Sequence, residues 1–164
     1  MDPVERTPTE PADYAVLSAI YGALLAGTAV SARGRGPIPT GELPALAAAS
    51  FALSKLVVHE KVESWVRRPF VDERRSKPNG RRLRYAIGEL LTCTRCTGAW
   101  SALGLVALRS HAPAAGRTVT TVLAASAGND MLQATFTYLC AHATAEQRKA
   151  AEDPAPAPRV QRVA

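Results

Sequence analysis

Aromatic side chains are scarce in this chain: three Phe, two Trp and four Tyr make up 5% of its 164 residues. Rings bury more surface than other side chains, so their scarcity limits what a soluble core could bury. Familiar catalytic patterns are missing too. There is no Gly-rich phosphate loop, no nucleophile elbow around a serine and no His-Glu-x-x-His helix, which removes the best-marked phosphate-binding, hydrolase and zinc-peptidase readings. Nothing at the start resembles a secretory signal. Acidic residues precede the first apolar stretch, and that stretch is long enough to remain in a membrane. No internal repeat is evident.

Charge is absent or nearly absent from four long stretches. There is none from Tyr14 to Ala32, only Lys55 between Leu43 and Val58, only Arg95 between Leu90 and Leu108, and only Asp130 between Val119 and Leu139. A helix needs about 20 residues, at about 1.5 Å rise each, to cross roughly 30 Å of hydrocarbon. All four approach that length. The mean hydropathy of −0.04 would suit a soluble domain, but polar ends and a charged middle dilute segments rich in Ala, Leu, Val and Gly. Ala19, Ala23 and Gly27 make a small-residue stripe of the kind that lets helices approach closely in lipid. The expected fold is all-α: a four-helix transmembrane bundle over about 14–32, 43–58, 90–108 and 119–139, with a basic, partly helical loop between helices 2 and 3. A polar tail of residues 1–13 precedes this membrane domain (14–140), and a polar Pro/Ala-rich tail of residues 141–164 follows it. A soluble helical bundle is the competing reading, because the stretches are short and the second and fourth contain charges.

Positive charge is concentrated rather than spread. The net charge is +6, and between Glu60 and Arg84 lie Lys61, Arg67, Arg68, Arg74, Arg75, Lys77, Arg81, Arg82 and Arg84, against Glu60, Glu63, Asp72 and Glu73. The links 33–42 and 109–118 hold two Arg each. The positive-inside rule therefore puts the long loop in the cytoplasm, and both termini with it, in a multi-pass protein of the inner (plasma) membrane. Anionic lipid head groups are the expected partners of that loop, at about 1 kcal/mol per well-placed cation. This placement argues against nucleic acid. Val58, Val62, Trp65 and Val66 recur at helical spacing, which predicts that the second helix continues to Arg68 before Pro69 ends it. Lys77 to Gly80 reads as a turn and Arg81 to Leu91 as a new helix. Trp65 and Trp100 suit the membrane interface. Pro154, Pro156 and Pro158, alternating with Ala, predict a disordered end.

The most specific local pattern is Cys93-Thr94-Arg95-Cys96. Two intervening residues bring both sulfurs onto one helical turn, which suits a redox thiol pair or two ligands of a soft metal. Two such cysteines can also be small packing residues. A closed metal site needs further ligands, and His59, His111, His142 and Cys140 are scattered, so a homo-oligomer or a protein partner would have to complete it. For redox work, Arg95 and the loop cations would favour thiolate. Near the cytoplasmic face a permanent disulfide is not expected.

Asp130 is the second candidate, because a carboxylate in hydrocarbon costs a few kcal/mol. Ser126, Asn129, Asp130, Gln133 and Thr137 share one helical face, and Ser50, Ser54 and Lys55 do something similar on the second stretch. Lys55 and Asp130 are an expected intramembrane pair, serving as interhelical glue or as part of a proton or ion relay. On a soluble helix the same stripe would face water.

The run from Gly88 and Glu89 through Leu90, Leu91, Thr92, Cys93, Cys96 and Gly98 to Trp100, with Ala127, Gly128, Asn129 and Asp130 about thirty residues later, resembles the bacterial membrane family catalogued as domain of unknown function 1360. The resemblance runs from about Tyr14 to Cys140. It implies several membrane spans, a Leu-Leu-Thr-Cys-x-x-Cys-x-Gly-x-Trp segment and a later small-Gly-x-Asp segment, and it carries no activity. The sequence-based expectation is a small integral membrane protein with a structural or interaction role and no enzymatic one. A thiol-redox or metal-binding protein using Cys93 and Cys96 is one alternative, and a small transporter using Asp130 is another.

Overall fold

The computed structural model describes residues 8–60, 64–72, 75 and 77–152. The Pro154, Pro156 and Pro158 tail, most of the tail before Asp13, and Lys61, Val62, Glu63, Glu73 and Arg74 of the basic loop lie outside the described residues. The fold is all-α, with helices α1 (Pro11–Ser31), α2 (Leu43–His59), α3 (Ser64–Arg67), α4 (Leu83–Thr92), α5 (Thr94–His111) and α6 (Pro113–Glu152). A 3-10 turn, Thr40–Glu42, leads into α2. Two short strands, β1 (Val71–Asp72) and β2 (Lys77–Pro78), pair antiparallel, with Val71 opposite Pro78. Contacts divide the chain into two compact units, Met1–Gly128 and Asn129–Ala164.

Helix α1 starts at Pro11, earlier than the apolar run alone suggests, because Pro suits the first turn, where no N–H is needed. The Asp13 carboxylate accepts the Glu10 N–H at 2.8 Å and fixes that end. Arg82 ties the same end to the basic loop: its guanidinium lies 2.6 Å from Glu10 and 3.3 Å from Asp13. Its own N–H donates to the Pro8 carbonyl at 2.8 Å.

The first unit is organised by α2 against α5. Leu46 and Ala49 pack on Leu105, flanked by Ile38, Leu53, Leu123 and Ala124. Small residues dominate this seam, with Ala49, Ala52 and Ser54 all buried on α2, so the two backbones come close. Gly98 on α5 faces Ser54, whose Oγ would be 3.9 Å from an added Cβ. At the seam's other end Arg109 donates to both carboxylate oxygens of Glu42, at 2.8 and 2.9 Å.

Two helices, Pro11–Ser31 and Thr40–His59 including its 3-10 turn, are long and apolar enough to cross a membrane by length and composition. None of the apolar window of α1 is buried. Val16, Ile20, Leu24, Leu25 and Val30 are exposed along it.

Three expectations about continuity are corrected. The apolar run 90–108 is not one helix: it is shared between α4 and α5, broken at Cys93, whose backbone is extended. Helix α2 does not continue to Arg68 but stops at His59, where Glu60 turns extended, and α3 is a separate turn of helix. The reason lies in Arg67, which is 5% exposed and donates to the Val57 carbonyl at 2.6 Å, satisfying a C-terminal group that a continuing helix would have used itself. Lys77 and Pro78 form a strand, and the bend comes just after, with Gly80 at φ 95° and Arg82 at φ 57°.

Candidate functional site

The break at Cys93 creates the site. Thr97 is buried and its hydroxyl donates back across the break to the Leu90 carbonyl at 2.7 Å, which locks α4 and α5 into a bend. Cys93 is the N-cap of α5, and its sulfur accepts the Cys96 N–H at 3.3 Å. Asp, Asn, Ser or Thr usually fill this position, so here a sulfur takes the place of the customary oxygen. Hydrogen bonds from the Cys96 side chain and then from its backbone hold the Cys93 thiol below the ordinary thiol range. Both cysteines are free, Cys96 is exposed and Cys93 is half-buried. One helix start therefore presents two adjacent thiols with unequal surroundings, the arrangement a dithiol needs for exchange.

The pair opens into a cleft of about 510 Å³ between α1, α4 and α5. Leu17, Ser18 and Tyr21 line it from α1, Ala86, Glu89 and Leu90 from α4, and Ala99 and Trp100 from α5. Trp100 meets Tyr21 edge to face, with ring centroids 5.3 Å apart. Tyr14 and Tyr21 are seven residues apart, and so are Cys93 and Trp100, a rise of about 10 Å along each helix. The thiols, Tyr14 and Glu89 line one end of the cleft, and the aromatic pair lines the other.

The Glu89 carboxylate accepts a hydrogen bond from the Tyr14 hydroxyl. That hydroxyl also hydrogen-bonds Thr9 at 3.1 Å. Thr92 donates to the Glu89 carbonyl at 3.1 Å. Burial, followed by the charge of Glu89, pushes the neighbouring Tyr85 hydroxyl up from its usual range, so it stays protonated.

Residues 45–136 match the sequence model of a family described as protein of unknown function (DUF1360). The chain belongs to the DUF1360 family. No curated protein and no solved structure matches it. The DUF1360 match takes in the Cys pair, Glu89 and Trp100 but not α1, so the Tyr14, Leu17 and Tyr21 wall of the cleft lies outside the matched region.

Of the other sequence candidates of this DUF1360 chain, Lys55 is half-buried on α2 and Asp130 is half-buried on α6. Gly128 and Asn129, both exposed, flank the boundary between the units. Among the described residues no group of three or more His, Cys, Asp or Glu is placed to hold a metal ion, so a metal on Cys93 and Cys96 would need ligands from elsewhere. Sequence reasoning missed the contribution of α1. Its only signal was the spacing of Tyr14 and Tyr21 in a chain with few rings.

Proposed function

We propose that this protein is an integral membrane protein whose Cys93–Cys96 pair is a redox dithiol at the cytoplasmic surface. The observation that carries the reading is Cys93 capping α5, with the Cys96 N–H on its sulfur at 3.3 Å, at the polar end of an apolar cleft. A helix start favours thiolate through its partial positive charge, and the second thiol one turn on resolves whatever the first attacks. A packing role alone gives no reason for an exposed Cys96.

The membrane arrangement supporting this places α1 and α2 across the bilayer, with α5 and part of α6 as two further crossings and both termini inside. Exposed apolar residues along α1 support lipid contact. The basic loop then meets anionic head groups, although Arg67, Arg82 and Arg84 also bond within the protein: Arg84 donates to the Pro69 carbonyl at 2.8 Å. A second reading, contact with another copy or a protein partner, draws on the exposed Leu132, Phe136 and Leu139 of the second unit.

The test is a redox titration of the full-length Cys140→Ser protein in membranes, quenched with a mass-tagging maleimide. The expected result is one two-electron transition in which both tags disappear together, abolished by Cys93→Ser or Cys96→Ser. Two tags at every potential would overturn the redox reading. Release of the protein by alkaline carbonate would overturn the membrane arrangement.

A further inference from the structure

We propose that the cleft beside Cys93 and Cys96 binds a lipid-soluble quinone that oxidises the dithiol, an inference that rests on the redox reading above. A dithiol that cycles must hand two electrons to something, and the cleft limits what that can be. Its volume of about 510 Å³ falls in the range of small-molecule sites and is far too small for a folded protein. Its walls are mostly Leu17, Leu90, Ala99 and the Tyr21–Trp100 pair. Such a lining suits a flat ring with an apolar tail and brings no Lys or Arg to a phosphate.

The two thiols, Tyr14 and Glu89 gather at one end of the cleft. A quinone ring needs its carbonyl oxygens near proton donors and its tail in apolar surroundings, and the cleft is arranged in that sense. Helix α1 supplies one wall, and the same helix exposes Val16, Ile20 and Leu24 on its surface, which face lipid in the membrane arrangement proposed above.

The reaction balances within the pair and its ligand. The Cys93 and Cys96 S–H bonds break, one S–S bond forms, and two electrons and two protons end on the quinone oxygens to give the quinol. Glu89, hydrogen-bonded to Tyr14, lines the same cleft as the two thiols.

The experiment uses full-length Cys140→Ser protein in detergent micelles, reduced and freed of reductant, mixed with decylubiquinone. That ring carries no C–H position for simple thiol addition, and displacement of a methoxy group would show as an adduct in the intact mass. Quinol is followed by ultraviolet absorbance and the disulfide by intact mass. The expected result is one quinol per protein at a rate that saturates with quinone. Ser18→Trp and Ala99→Trp fill the cleft from two helices at exposed positions, and each is expected to slow the reaction about tenfold or more while still closing the disulfide with diamide. A rate that rises linearly and ignores both substitutions would overturn the site, and so would quinone bound without oxidation, as for a lipid chain. Closure by diamide with no quinol would overturn the quinone while the redox reading stands. Closure by neither oxidant would overturn both.

Discussion

Two glycines close in sequence have opposite demands. A Cβ at Gly88 would lie 2.5 Å from the Phe70 carbonyl and 2.9 Å from Pro78, so α4 can press on the strand pair only without a side chain there. Gly88→Ala is expected to cost about 1–3 kcal/mol of stability, read as a lowered thermal transition in detergent. At Gly98 an added methyl meets only Ser54, at ordinary contact distance. Gly98→Ala is expected to be neutral or to stabilise by about 0.5–1 kcal/mol through helix propensity. Equal losses at both positions would mean that the tight contact at Gly88 is not the cause. Cys93 gives a second residue-scale test. With its pKa held down by hydrogen bonds from Cys96, its alkylation rate should reach half-maximum at lower pH than that of a free thiol, whose ordinary value is about 8.5. In Cys96→Ala, which removes the side-chain donor, the midpoint should move up. A midpoint at or above the free-thiol value in the unsubstituted chain would contradict the cap geometry.

Among the elements, the breaks were harder to read than the helices. Apolar content marks where a helix can run but not where a side chain stops it, and both missed breaks are made by one or two polar groups. Arg67 reaching Val57 ends α2, and the Cys93 sulfur with the Thr97 hydroxyl bends α4 away from α5. The Cys pair, Glu89 and Trp100 were visible as a motif because they are close in sequence. Their partners Tyr14 and Tyr21 were not, since α1 approaches from more than seventy residues away. The same holds for Glu42 and Arg109, separated by 67 positions, which join the start of α2 to the end of α5. This pair should act as a clasp on the α2–α5 seam. Glu42→Gln is expected to lower the thermal transition because it leaves a 10% exposed Arg109 side chain without its carboxylate. Glu42→Gln combined with Arg109→Met should recover part of the loss. A double variant no better than the sum of the single ones would show that the two side chains act independently.

For the whole molecule the deciding question is which solvent covers α1. Its apolar residues at 16, 20 and 24 are exposed, and Leu24 shows 52% of its surface. In water such a stripe is a liability, and in lipid it is the ordinary outer face of a spanning helix. One substitution separates the two. If α1 crosses the bilayer, Leu24→Arg puts a guanidinium well inside a 21-residue helix, at a cost of about 2.5–3.5 kcal/mol on insertion scales. Since Leu24 is exposed and does not line the cleft where Tyr14 meets Glu89, the fold itself gives little reason for a loss. The carbonate-resistant fraction of Leu24→Arg should therefore fall several-fold, while Thr28→Arg, one turn nearer the helix end where the side chain can snorkel to the head groups, should retain more of it. If α1 instead lay on a water-soluble bundle, Leu24→Arg would leave the fractionation unchanged and raise solubility, and the cleft behind α1 would open to water rather than to lipid.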